Sequence, residues 1–116
     1  MIKPHFFYCE LYMVNIYFYN NVSPEDTSMS LKRFLKFNYP SERFEGSIGI
    51  AIDFYGDYVI WIKGNAKRDL SCLAHECLHI ANMILSNKGI KVSLKNDEAQ
   101  AYLLGYLMKK CCEVLK

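Results

Sequence analysis

Asp69-Leu70-Ser71-Cys72-Leu73-Ala74-His75-Glu76-Cys77-Leu78-His79-Ile80-Ala81-Asn82-Met83-Ile84-Leu85 is the stretch on which the fold turns. Leu70, Leu73, Cys77, Ile80, Ala81, Ile84 and Leu85 recur at steps of three and four, the spacing of one face of an α-helix. No proline interrupts the run. Asp69, or Asn65 one turn earlier, is suited to cap its start, and Asn87-Lys88-Gly89 is suited to end it. The expected element is a single long helix, apolar on one side.

Within that helix stands His75-Glu76-Cys77-Leu78-His79, an H-E-x-x-H pattern. Residues i and i+4 of a helix lie on one face, about 6 Å apart along the axis. Two imidazoles so placed can converge on one metal ion, with Zn–N bonds of about 2.0–2.1 Å. Glu76 follows the first histidine directly, where a general base beside the metal belongs. The competing reading is a buried helix with two core histidines. It is the poorer one, because two imidazoles and a carboxylate are costly to bury without partners.

A catalytic zinc commonly takes three protein ligands and leaves one position for water. No histidine follows His79, and the remaining one, His5, is near the start of the chain. The next acidic residues lie in Asn96-Asp97-Glu98-Ala99-Gln100-Ala101-Tyr102. Asn96 suits an N-cap, and Asp97 and Glu98 suit a first helical turn electrostatically. Taken alone, the two carboxylates do no more than decorate a helix start.

Taken together, the two segments resemble the gluzincin metallopeptidases, the thermolysin-like group. That family carries H-E-x-x-H and, on a later helix, a ligand glutamate within an N-E-x-x-x-D-like segment. A small residue often precedes the first histidine there, as Ala74 does here. The resemblance covers the chain from Ile48 onward. It implies zinc held by His75, His79 and Glu98, with Glu76 as the base. It further implies hydrolysis of a peptide bond in a peptide or protein substrate by a metal-activated water. The chain departs from the family in two ways. Tyr102 stands where the family often has an aspartate that orients a histidine ligand. Only a short segment follows Glu98, where large members carry a whole further domain. In this the chain is similar to minimal zincins, including small phage-encoded ones. Tyr102 and Tyr106 are the tyrosines available to assist.

The remaining sequence is read as scaffold. At 116 residues the chain is expected to be one domain, 1–116, with its own core. Phe6 to Tyr19 is apolar and aromatic, and reads as a buried strand. It is too short for a membrane span, and Glu10 and Asn15 interrupt it as a signal sequence. Ser23-Pro24-Glu25-Asp26 reads as a helix start, with Leu31, Phe34 and Leu35 as its apolar face and Pro40 as its stop. Ile48, Ile50, Ile52 and Phe54 alternate, and a second β-rich run follows Gly56-Asp57, which reads as a hairpin turn. In zincins a sheet edge beside the metal helix binds substrate as an added strand, a mode with a general basis in unpaired backbone groups. The hairpin fits that role or plain scaffold.

The net charge of +2 is scattered, and Lys32-Arg33 and Lys109-Lys110 read as solvated helix faces. Neither nucleic acid nor a membrane is expected as a partner. Five cysteines, with Cys111 and Cys112 adjacent, give no disulfide framework and suit the reducing cytoplasm. Cys72 opens a rival reading, a closed Cys-His-His-Glu structural site. It is the weaker one, since three ligands from one helix strain a tetrahedron.

The expected fold is therefore α+β and zincin-like. A small β-sheet packs on the H-E-x-x-H helix and on a following glutamate-bearing helix. The expected function is a zinc-dependent metallopeptidase. The alternative is a catalytically inactive metal-binding or interaction protein on that scaffold, or a subunit whose cleft a partner completes.

Overall fold

The computed structural model describes residues 1–115. Its elements run β1 (His5–Cys9), β2 (Val14–Asn20), α1 (Pro24–Leu35), a 3-10 turn (Ser41–Phe44), β3 (Gly49–Phe54), β4 (Asp57–Ile62), a second 3-10 turn (Ala66–Arg68), α2 (Leu70–Asn87) and α3 (Glu98–Glu113). The four strands form one mixed sheet in the order β1-β2-β4-β3. β1 and β2 are antiparallel, as are β3 and β4, and β2 runs parallel to β4 with Ile16 opposite Tyr58. The fold is thus α+β.

Alternation along the strands sorts side chains into two layers. Ile16, Phe18, Tyr58, Ile60 and Ile62 point to one face, where they meet Leu73, Cys77, Ile80 and Ile84 of α2 and Leu103 and Leu107 of α3. Tyr19, Ile52, Val59 and Trp61 point to the other, where Leu31 of α1 and Phe44 cover them. The central strand β4 feeds both cores and is buried from Tyr58 to Ile62. Trp61 donates its indole N–H to the Val22 carbonyl at 2.9 Å, so its one polar atom is satisfied.

Four expectations need correction. The apolar run from Phe6 to Tyr19 is two strands. The chain turns between Cys9 and Val14, and Met13 takes a left-handed φ of 54° there. Phe34 is 38% exposed, and the inward face of α1 is Thr27, Ser30 and Leu31. That helix ends at Lys36, which is left-handed (φ 54°) and returns its N–H to the Leu31 carbonyl, so Pro40 does not stop it. The hairpin turns on Tyr55-Gly56, with φ of 56° and 85°, one position earlier than Gly56-Asp57. Two positive φ values in a two-residue loop match the twist of the paired strands.

Candidate metal centre

The helix that carries the H-E-x-x-H pattern is fixed at both ends. Asp69 accepts the backbone N–H of Cys72 at 3.1 Å and the Ser71 hydroxyl at 2.7 Å. These two bonds hold its carboxyl below the ordinary aspartate value. Asn65 caps the preceding 3-10 turn instead, accepting from Lys67 N–H. At the far end the Asn87 amide donates to Asp53 Oδ2 at 2.8 Å and to the Tyr58 hydroxyl at 2.6 Å, tying α2 to β3 and β4.

Cys72, Leu73, Glu76, Cys77, Ile80, Ala81, Ile84 and Leu85 form the buried side of α2. His75 and His79 lie just off that side and are exposed. They are therefore not core histidines. Their Nε2 atoms face each other at 3.1 Å. The donor atoms of His75, Glu76 and His79 lie within 4.8 Å of one another, a group able to hold a metal ion. Two nitrogens bound to one tetrahedral ion at about 2.0–2.1 Å each stand about 3.3–3.4 Å apart. The observed separation is within a few tenths of an ångström of that figure. Without an ion, the same contact is a hydrogen bond between one N–H and the other imidazole's lone pair.

Glu76 is 6% exposed. Burial raises its carboxyl above the ordinary value, and the neighbouring imidazoles of His75 and His79 pull it back down. Its place under the sheet depends on Gly49 of β3. A Cβ there would lie 2.9 Å from each of Cys72 Sγ, Glu76 Cγ and Glu76 Oε2. On the same face of β3, Ala51 packs into the α2 core and Asp53 reaches Asn87. Gly49, Ala51 and Asp53 thus form a low-profile side along which α2 lies close, running the same way as the strand. β3 is also an edge of the sheet. The edge strand and the buried carboxylate are therefore neighbours. The alternation of Ile48, Ile50, Ile52 and Phe54 marks the opposite side of the strand, and Ile48 itself falls before β3 and is 64% exposed. The signal for the low-profile side was the alternation of small residues with isoleucines.

Glu98 does not join the three-residue group. It is the first residue of α3 and is exposed. Its helix packs against α2, and Gln100 Nε2 donates to Asn82 Oδ1 at 2.6 Å, one turn beyond His79. Asn96 is not the N-cap expected of it. Asp97 holds that position without a side-chain bond, and the Asn96 amide donates to the Lys91 carbonyl. Cys72 also stays apart from the imidazoles, with its thiol directed at the Ile48 carbonyl at 3.7 Å. Of the two tyrosines, Tyr102 is 66% exposed, and the Tyr106 hydroxyl donates to the Tyr8 carbonyl at 3.3 Å. Among the described residues, no helix is long and apolar enough to cross a membrane. No protein-family model, curated protein or solved structure matches the chain.

Proposed function

We propose that the chain is a zinc-dependent metallopeptidase of the gluzincin type. The observation that carries this reading is the 3.1 Å approach of the His75 and His79 Nε2 atoms, with the buried Glu76 carboxylate beside them. In this reading His75 and His79 hold the ion, and Glu98, which stands outside their group at the exposed start of α3, becomes the third ligand once that helix start moves in toward the imidazoles. Zinc, when bound, supplies Lewis acidity: it brings the ionisation of water near neutral pH and polarises a carbonyl.

The protein's own groups do the rest. A substrate chain added to the free edge of β3 runs past Glu76, with its backbone paired to strand groups that the sheet leaves open. Glu76 takes a proton from water as the water oxygen bonds to the scissile carbonyl carbon. It returns that proton to the amide nitrogen as the C–N bond breaks. The products are a carboxylic acid and an amine, and Glu76 ends as it began. All five cysteines are free thiols, which supports placing the chain in the reducing cytoplasm.

The exposure of both imidazoles, and of Leu78 between them in sequence (36%), favours a second reading. Here the metal site is the same, and a partner protein completes the cleft before turnover occurs. Glu76→Gln tests the first reading in the isolated chain. The substitution is expected to keep bound zinc and to abolish hydrolysis of a quenched-fluorescent peptide library. Hydrolysis surviving in purified Glu76→Gln protein would overturn the mechanism. Turnover by the isolated wild-type chain separates the first reading from a partner-dependent subunit and from a catalytically inactive metal-binding protein.

A further inference from the structure

We propose that the hollow between α1 and the N-terminal segment is a docking surface for an acidic peptide segment carrying an apolar anchor residue. The hollow is shallow and open to solvent, about 600 Å³ in volume, and is lined by Met1, Met29, Lys32, Arg33, Phe34 and Lys36. Steps of three and four along α1 bring Met29, Lys32 and Arg33 to one side, and the left-handed Lys36 follows at the helix end. The fold then adds a cation far away in sequence, with Lys3 Nζ 5.8 Å from the centre of the Phe34 ring. Charges scattered along the chain become a cationic rim around an apolar floor.

No carboxylate lines this hollow. Among the described residues the ion pair found is Lys110–Glu113, so Lys3, Lys32, Arg33 and Lys36 have no acidic partner. The floor is exposed too: Met1 by 66%, Met29 by 56% and Phe34 by 38%. A part-exposed aromatic residue in the last turn of a helix, among cations that have no carboxylate partner, is complementary to a ligand with both carboxylates and an apolar side chain. Carboxylates would set the register and speed encounter, and the apolar residue would displace water from Phe34 and the adaptable methionines. A concave site with one aromatic ring fits a single anchor residue better than a bilayer, which rewards a broad apolar face. α1 covers the sheet face opposite α2, so an occupant here leaves His75 and His79 free.

The test is anisotropy titration of the full chain with a fluorescein-labelled peptide, Glu-Asp-Glu-Leu-Glu-Phe-Asp-Glu-Glu. A second peptide has Leu and Phe replaced by serine, and vesicles of phosphatidylserine and phosphatidylcholine serve as a third probe. Saturable binding is expected for the first peptide. It should weaken about tenfold with the serine peptide, and about tenfold in the K32E/R33E variant. Both residues are exposed, and an unchanged unfolding midpoint would show the variant intact. The proposal is overturned by absent binding, by equal binding of the variant, or by equal binding of the serine peptide, which means bare charge attraction. Vesicle binding in place of peptide binding overturns it in favour of a membrane surface.

Discussion

Replacing Gly49 with alanine adds one methyl group at the closest approach of β3 and α2. That carbon would stand 2.9 Å from Cys72 Sγ, Glu76 Cγ and Glu76 Oε2, against an ordinary contact of about 3.5–4.0 Å. Overpacking of this kind costs about 1–3 kcal/mol, and the entropy gained by replacing glycine returns about 0.4–1 kcal/mol. The two figures net to a loss of between about 0 and 2.6 kcal/mol, and because the added carbon meets three atoms at once the upper part of that range, about 1–2.5 kcal/mol, is expected. Gly105→Ala is the internal control. Gly105 is in the interior of α3 with nothing within 4 Å of its added carbon, so the same chemical change should stabilise by about 0.5–1 kcal/mol. The assay is urea unfolding followed by fluorescence of the single tryptophan, Trp61, comparing midpoints at constant slope. Removing the obstructing carboxylate should relieve part of the cost, so Gly49→Ala combined with Glu76→Ala should be more stable than the sum of the single changes predicts. If Gly49→Ala is as stable as the wild type, or moves in the same direction as Gly105→Ala, β3 and α2 are not packed as closely as this reasoning requires.

Two other expectations concern stability alone. Ser23→Ala removes the hydroxyl that accepts the Asp26 N–H at 3.1 Å, and should destabilise by about 1 kcal/mol in the same urea assay. Tyr19 is buried and shares a 2.7 Å hydrogen bond with Ser30, and burial raises its phenol above the ordinary value of 10.0. The folded state holds this proton more tightly than the unfolded chain, so its contribution is full below about pH 10 and fades as pH rises through the raised value. Ultraviolet titration should find this phenol ionising late, and Tyr19→Phe should blunt the alkaline loss of stability.

The helices were legible where local chemistry decides them. Asp69 and Ser23 are capping residues with no stronger claim on their side chains, and both cap as the sequence suggests. Asn96 is held in the loop before the helix, its backbone paired with Ser93 and its Nδ2 donating to the Lys91 carbonyl, which leaves Asp97 at the boundary. The H-E-x-x-H spacing guaranteed that two imidazoles would share a helix face, whatever the rest of the fold. The β3–β4 hairpin was legible from its turn residues, and the rest of the strand pairing was not. Nothing local in Phe6–Tyr19 announces the turn at Met13, since its apolar residues suit one long strand as well as two short ones. Nor could periodicity reveal that β2 lies between β1 and β4 and leaves β3 as an edge beside Glu76, because strand order is set by non-local pairing. Glu98 illustrates the same limit. Its helix was readable, and its distance from the imidazoles depends on how the loop between α2 and α3 returns.

The most direct test of the metal centre is zinc content per chain by elemental analysis, on protein purified without added metal and again after zinc is offered. Wild type, His79→Ala and Glu98→Ala are compared, with folding checked by Trp61 fluorescence. About one zinc per wild-type chain, none retained by His79→Ala, and a large loss of affinity in Glu98→Ala is the expected result. A wild-type chain that takes up no zinc would leave the 3.1 Å contact as a hydrogen bond between two histidines, and would contradict the account at its centre.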